Sequence, residues 1–201
     1  MTATPIQLPG SLNANRRLSQ WLGIHADGTV TVRTGKVELG QGIATALAQI
    51  VCDELCVAAS RIRMVAASTT AGPNEGVTAG SMSIHDSGGA LRQVCAEVRA
   101  IYLQVAATQF NLSASDAALL TVHDGSIQAR SGEAISSYWA LASEALLDCD
   151  ATGLPVQKSV MPSTALQRLD IPDKVTGRPR FVHDMTLPGM LCVHTSSKLL
   201  L

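Results

Sequence analysis

The sequence predicts an α+β fold, a layer in the order strand, helix, strand, long helix, hairpin, helix. Three observations carry this expectation. Gly28 to Thr34 and Arg61 to Val65 alternate β-branched or apolar residues with polar ones, the period of a half-buried strand. Gly42 to Val57 and Ser81 to Phe110 instead repeat apolar residues at helical spacing. His123-Asp124-Gly125-Ser126 separates two short apolar runs, which is the pattern of a tight hairpin turn.

Each element has its own local cause. Asp27-Gly28 is a turn signal, so the first strand starts there and runs into Gly35. In the first helix Ile43, Leu47, Ile50, Val51 and Leu55 form one stripe. Ala44, Ala46 and Ala48 keep the other faces small, which predicts burial nearly all round. In the long helix Ile84, Gly88, Leu91, Cys95, Val98, Tyr102 and Val105 recur in step. Gly88 and Gly89 each cost about 1 kcal/mol inside a helix, so they predict either a late helix start near Gly89 or a close crossing against another backbone. Leu119 to Val122 and Ile127 to Ala129 form the hairpin, and Ser136 to Leu147 reads as the last helix.

Composition narrows the function classes. The 201 residues carry a net charge of −1 with no long basic run, which argues against nucleic acid or an anionic lipid surface as partner. Hydrophobic content is 46% but aromatic content only 3%, so the core must be built from Ala, Val, Leu and Ile, and the mean hydropathy of +0.21 leaves apolar surface for other chains. Charges interrupt every apolar stretch before the roughly 18 residues that span a bilayer, so no transmembrane helix is expected. Arg16-Arg17 resembles the start of a twin-arginine signal, yet Leu18 to Asp27 holds no apolar run. A cytoplasmic protein is expected, with periplasmic association of a complete complex left open. Cys52, Cys56, Cys95, Cys149 and Cys192 make no Cys-x-x-Cys pair, which points to a reducing compartment, and Cys52 and Cys56 read as buried small apolar residues.

Chemistry concentrates in two loops at helix starts. Gly40-Gln41-Gly42 opens the first helix, and Thr78-Ala79-Gly80-Ser81-Met82-Ser83 opens the long one. Helix starts expose unpaired N–H groups and partial positive charge, glycines let a ligand reach the main chain, and Thr45, Ser81 and Ser83 add hydroxyls. Both loops equally read as an ordinary turn and an ordinary cap. Asp86 is expected to cap the second helix, and Glu38 to orient its strand. The histidines lack zinc spacing, and the phosphate-binding strings Gly-x-x-x-x-Gly-Lys-Ser/Thr and Gly-x-Gly-x-x-Gly are absent from the sequence.

Taken together, Gly35-Lys36-Val37-Glu38-Leu39-Gly40-Gln41-Gly42, Asp53-Glu54-Leu55, Pro73-Asn74 and Thr78 to Ser83 resemble the molybdopterin-binding large subunit of the xanthine dehydrogenase and aldehyde oxidase family. The likeness is to the branch of isoquinoline 1-oxidoreductase and nicotinate dehydrogenase. Asp170 to Gly177, with Arg180 to Leu191, is similar to the opening of that family's hammerhead domain. The resemblance implies a molybdopterin-binding domain over 1–153, a linker over 154–172 and the start of a hammerhead-like domain over 173–201. It implies a molybdenum-molybdopterin cofactor, in the cytosine dinucleotide form in that branch, contacted by Gly40, Gln41, Gly42, Thr45, Thr78, Ala79, Gly80, Ser81 and Ser83. Gln41 would lie nearest the metal.

The reaction implied is hydroxylation of an N-heterocycle or aldehyde. The implied partners are a small [2Fe-2S] subunit and the remainder of the large subunit or a separately encoded piece. The family's Gly-Gly-Gly-Phe-Gly loop and its Gly-x-Gly-Glu motif with the catalytic glutamate do not occur in the sequence. No catalytic or metal-ligating residue is therefore assigned. The chain is expected to be a fragment, inactive alone; the alternative is a non-catalytic cofactor-binding or assembly module, or a decayed remnant.

Overall fold

The computed structural model describes residues 7–154, 165–178 and 184–191. The chain forms two compact units, a larger one spanning Met1–Leu169 and a smaller one spanning Asp170–Leu201.

The larger unit is built on a three-stranded sheet in the order β1-β2-β3, with β1 Leu22–Ile24, β2 Val30–Arg33 and β3 Ile62–Val65. β1 and β2 are antiparallel, and β2 and β3 are parallel, pairing Val30 with Ile62 and Arg33 with Val65. Parallel neighbours need a crossover, which α1 (Ile43–Leu55) supplies. No residue of α1 is exposed, as its alanine-rich faces predict. A second helix, α2 (Gly89–Gln109), contributes Leu91, Val94, Cys95, Val98 and Tyr102 to the same core, against Leu47, Val51 and Leu55 of α1 and Val30 and Val32 of β2.

Polar residues lock the two helices together. Glu54 of α1 is buried, and its carboxylate accepts from Arg92 Nη1 at 3.1 Å and Arg99 Nη1 at 3.5 Å; Arg99 also donates to the Glu54 carbonyl. Glu97 accepts from the N–H groups of Thr152 and Gly153 at 2.8 and 2.9 Å, which fastens the end of the first described stretch to α2. Cys52 and Cys56 are buried as expected, Cys95 is buried too, and burial pushes the Cys52 thiol up to about 11. Cys149 is exposed, while Cys192 lies outside the described residues.

The structure departs from the sequence reading in places and sharpens it in others. β1 carries no strand signal of its own because it is three residues long and follows two 3₁₀ turns, Gly10–Asn13 and Leu18–Gln20, that bury Leu12, Leu18 and Trp21. Arg17 pairs with Asp148 at 2.5 Å, so the Arg16-Arg17 segment is folded onto the chain. The long helix starts as a π-helical turn, Ile84–Gly88, and becomes α-helical at Gly89. A Cβ on Gly88 would stand 3.1 Å from Ile50 Cδ1, so the glycine pair marks both a changed start and a close crossing with α1. Ser136 to Leu147 is not a helix. It holds β6 (Ala134–Ser137), a turn, and only then the short α4 (Glu144–Leu147), after an equally short α3 (Ala114–Ala117) earlier in the chain. The β-sheet partner won over helical periodicity there, since β6 pairs with β5 (Ser126–Gln128).

The second sheet runs β4-β5-β6, with β4 Thr121–His123 and β5 Ser126–Gln128. Asp124 and Gly125 both have positive φ, 46° and 77°, as a two-residue type I′ turn requires. A Cβ on Gly125 would stand 2.4 Å from Trp139 Cζ2, so the turn tolerates no other residue. Asp124 receives a fork from Arg61, Nε at 2.8 Å and Nη2 at 2.7 Å, and Arg61 also lies 4.9 Å from the Trp139 ring centroid. That fork, ahead of the Ala58 N–H, holds the Asp124 carboxyl below its ordinary value of 3.8. A depressed folded pKa means the contribution is complete above 3.8 and is lost as pH falls through the folded value. Asp124→Asn is expected to flatten the acid limb of a stability profile below about pH 4 and leave the neutral limb almost parallel; an unchanged acid slope would refute this.

The smaller unit contains α5 (Ile171–Val175), with Pro172 in its first turn, and Lys174 paired to Asp170 at 2.5 Å. Of the hammerhead-like start expected over 173–201, residues 179–183 and 192–201 lie outside the described residues. Among the described residues no helix is long and apolar enough to cross a membrane.

Candidate functional site

The two glycine-containing loops lie against each other. Val37 N–H donates to Thr78 Oγ1 at 2.9 Å, a direct bond from the first loop to the second. Beside it Lys36 is buried, and its ammonium donates to the carbonyls of Glu75 at 3.0 Å and Val77 at 3.4 Å and to the Asp86 carboxylate at 3.2 Å. A buried ammonium needs this many oxygens to offset its lost hydration. Asp86 is therefore not the helix cap expected from sequence. Its carboxylate faces His85 Nδ1 at 3.1 Å and Lys36, and those two contacts, His85 first, hold its pKa below the ordinary value.

Glycine is required where the loops approach. A Cβ on Gly35 would stand 2.6 Å from the Pro73 carbonyl oxygen and 3.0 Å from Glu75 N. Gly35→Ala is expected to push the loops apart and cost about 2 kcal/mol, read as a lower urea midpoint with an unchanged m-value. An unchanged midpoint would mean that the approach is looser than the geometry shows.

The first loop proves to be closed on itself. Glu38 Oε1 accepts from Gly40 N at 2.9 Å and Gly42 N at 2.8 Å, and Oε2 accepts from Ala44 N at 3.2 Å. Gly40 and Gly42 take φ of 104° and 84°, conformations other residues rarely adopt, and this wraps the loop around the carboxylate. Gln41 is drawn into the same turn: Nε2 donates to Val37 O at 2.9 Å, and Oε1 accepts from Leu39 N at 2.5 Å. Thr45 is buried in the first turn of α1, where its hydroxyl accepts from Leu169 N at 2.9 Å, and Arg168 donates to Gly40 O at 2.9 Å. Glu38 is thus the functional group that sequence reasoning undervalued. The signal was its place two residues ahead of Gly40, the reach of a carboxylate capping the next backbone N–H groups.

The second loop has the opposite character. Ala79, Gly80 and Ser81 are exposed, and Gly80 and Ser81 have φ of 62° and 57°. Met82 N–H closes this turn on Ala79 O at 3.3 Å, whereas the N–H groups of Gly80 and Ser81 and the Ser81 and Ser83 hydroxyls have no hydrogen-bond partner among the described residues. Thr78 accepts from Val37 and keeps its own proton to give. Val37, Leu39, Val77, Met82 and Ile84 are exposed around the pair, so the free donors sit in an apolar setting. An oxygen-rich anionic group fits Thr78 to Ser83. It does not fit the Gly40 and Gly42 amides as they stand, because a carboxylate holds them.

A separate depression of about 400 Å³ is lined by Leu22, His25, Arg33, Ser143, Leu147 and neighbours, and neither loop contributes to it. Among the described residues no cluster of His, Cys, Asp or Glu could hold a metal ion.

Comparison with known proteins gives the family of the chain. The family model described as molybdopterin cofactor-binding domain matches residues 3–181. A nicotinate dehydrogenase subunit of Pseudomonas putida is 33% identical over 179 residues, 88% of this chain and 15% of that protein. The membrane-bound aldehyde dehydrogenase [pyrroloquinoline-quinone] of Gluconacetobacter polyoxogenes is 28% identical over 177 residues, 85% of this chain and 23% of that protein. The solved quinoline 2-oxidoreductase from Pseudomonas putida 86 is 26% identical, with a TM-score of 0.46 over 63% of this chain and 15% of that one. The chain thus spans less than a quarter of the length of each of these relatives. With nearly the whole chain inside the matched domain, it belongs to the molybdopterin cofactor-binding domain family of the xanthine dehydrogenase and aldehyde oxidase large subunits.

Proposed function

We propose that the chain forms one wall of a molybdenum-molybdopterin site in a larger hydroxylase, with Thr78, Ala79, Gly80, Ser81 and Ser83 as its donors to the cofactor. The observation that carries this reading is the Val37 to Thr78 bond, which sets an internally satisfied loop beside one whose Gly80 and Ser81 amides and Ser81 and Ser83 hydroxyls lack partners among the described residues. When bound, the cofactor would supply the redox chemistry of carbon hydroxylation. The protein's part is to orient it through Thr78 to Ser83 and to exclude water with Leu39, Val77 and Met82. Gln41 would reach the metal end after its amide leaves Val37 O and Leu39 N, while Gly40, Gly42 and Thr45 shape the loop.

The substrate class of this reading is an N-heterocycle or aldehyde, and the cofactor form is the cytosine dinucleotide. The partners are the remainder of a large subunit, or a separately encoded piece, and a small [2Fe-2S] subunit. The chain would be inactive alone. A non-catalytic cofactor-binding or assembly module is favoured by one specific observation: Glu38 satisfies the first loop without any ligand, so the fold is complete before a cofactor arrives.

The test is to express the chain in a host that makes the cofactor and to measure molybdenum by mass spectrometry and pterin by fluorescence after oxidation. Wild type should retain pterin, and Ser81→Ala/Ser83→Ala should retain about tenfold less. Pterin without substrate oxidation supports the wall or the module; turnover by the chain alone refutes inactivity. Absence of pterin from the wild type at micromolar protein refutes both readings.

A further inference from the structure

Glu75 stands at the entrance to the second loop and reaches three separate segments: the N-terminal 3₁₀ turn, the chain just after β2 and the π-helical turn. Its Oε1 accepts from Ser11 Oγ at 2.5 Å, in the N-terminal 3₁₀ turn. Its Oε2 accepts from Gly35 N–H at 2.7 Å and lies 2.9 Å from Thr34 Oγ1 and 3.0 Å from Ser87 Oγ. Its main-chain oxygen takes the Lys36 ammonium. Thr34 and Ser87 are both buried and stand 2.8 Å apart, so two hydroxyl protons serve three close oxygen contacts. Both hydroxyls are placed to donate to the Glu75 carboxyl group, so one side chain ties together the end of β2 and the π-helical turn.

The geometry points to Glu75 as the positioning residue of the loop pair: through Gly35, Thr34 and Ser87 it fixes the end of β2 and the π-helical turn at one separation, and with them Val37 and Thr78. It rests on the reading of Thr78 to Ser83 as the ligand-holding loop, and adds the group that sets this loop's distance from Gln41. Asn15 and Asn74 reinforce the same junction, with Asn15 Nδ2 donating to Asn74 O at 2.9 Å and Asn74 N donating to Asn15 Oδ1 at 2.8 Å. Glutamine in place of Glu75 keeps the shape but turns one acceptor into a donor facing hydroxyl or N–H groups. A role confined to general stability would resemble that of Glu54, which joins α1 to α2 and is bonded to neither loop.

Amide hydrogen exchange on the full chain separates the two roles, with Glu54→Gln as the comparison. In Glu75→Gln, peptides covering 34–42 and 82–88 should both exchange about tenfold faster while those of α1 and α2 keep wild-type rates. Ser11→Ala and Ser87→Ala should give smaller changes of the same pattern, and they carry the test if Glu75→Gln does not fold. Faster exchange limited to residues 74–76, or spread through α1 and α2 as in Glu54→Gln, overturns the assignment. In material loaded with pterin, Glu75→Gln should retain about tenfold less than wild type, and equal retention likewise overturns it. Wild type without pterin would remove the ligand reading alone, since the exchange pattern decides the positioning role by itself.

Discussion

Lys36→Met is expected to be the most damaging single change at the loop pair, lowering stability by about 3 kcal/mol and the thermal midpoint by about 6–12 °C. The side chain is 2% exposed, so its charge is compensated almost wholly by protein oxygens. Removing it strands the Glu75 and Val77 carbonyls and leaves the Asp86 carboxylate, 25% exposed, facing only a histidine. Leaving one partner of a buried pair uncompensated costs more than the pair itself contributes. A double variant, Lys36→Met/Asp86→Asn, should therefore be less unstable than the sum of the two single changes, and a double-mutant cycle measures the difference. Additive losses would mean that the ammonium and the carboxylate do not interact.

The same pair sets an acid response. The Asp86 carboxyl is depressed by His85 and then by Lys36, so its contribution is complete above the ordinary value of 3.8 and disappears as pH falls through the lower folded value. In Lys36→Met the second of these causes is gone, so the folded value rises toward 3.8 and the acid limb should end at higher pH, with a smaller total loss, than in wild type. A limb of unchanged extent would place the whole depression on His85.

Elements with a strong local cause were legible in the sequence. The β2–α1–β3 crossover follows from two alternating segments and one apolar stripe, and the hairpin from a single Asp-Gly turn. The resemblance to a molybdopterin-binding subunit was equally legible, because it rests on contiguous strings around Gly40 to Gly42 and Thr78 to Ser83. Whatever depends on a distant partner was not. β6 becomes a strand through pairing with β5, and β1 through pairing with β2. Asp86 looked like a cap because Lys36 lies 50 positions away, and Glu75 carried no signal of its own because its donors come from residues 11, 34, 35 and 87. Glu38 is the instructive case, since its bonds are local, yet only the fold decides whether α1's first amides meet a ligand or a side chain two positions before Gly40.

Glu38→Ala tests which of those two the amides are built for. The change removes a charged acceptor from the N–H groups of Gly40, Gly42 and Ala44 and should cost about 2 kcal/mol, or about 4–8 °C in the midpoint. It should also create a vacancy with the chemistry of an anion site: unpaired N–H groups at the start of a 13-residue helix, with the macrodipole behind them. Inorganic phosphate at constant ionic strength should then raise the midpoint of Glu38→Ala and leave wild type where it is. Equal stabilisation of both would show that an external anion displaces the carboxylate, and the Gly40 and Gly42 amides would return as direct cofactor contacts. A response in the variant alone means that the chain carries its own anion at this helix start. Repulsion from that carboxylate then turns a charged ligand away from the first loop's backbone, and binding falls to the Gln41 amide and the unpaired donors of Gly80, Ser81 and Ser83.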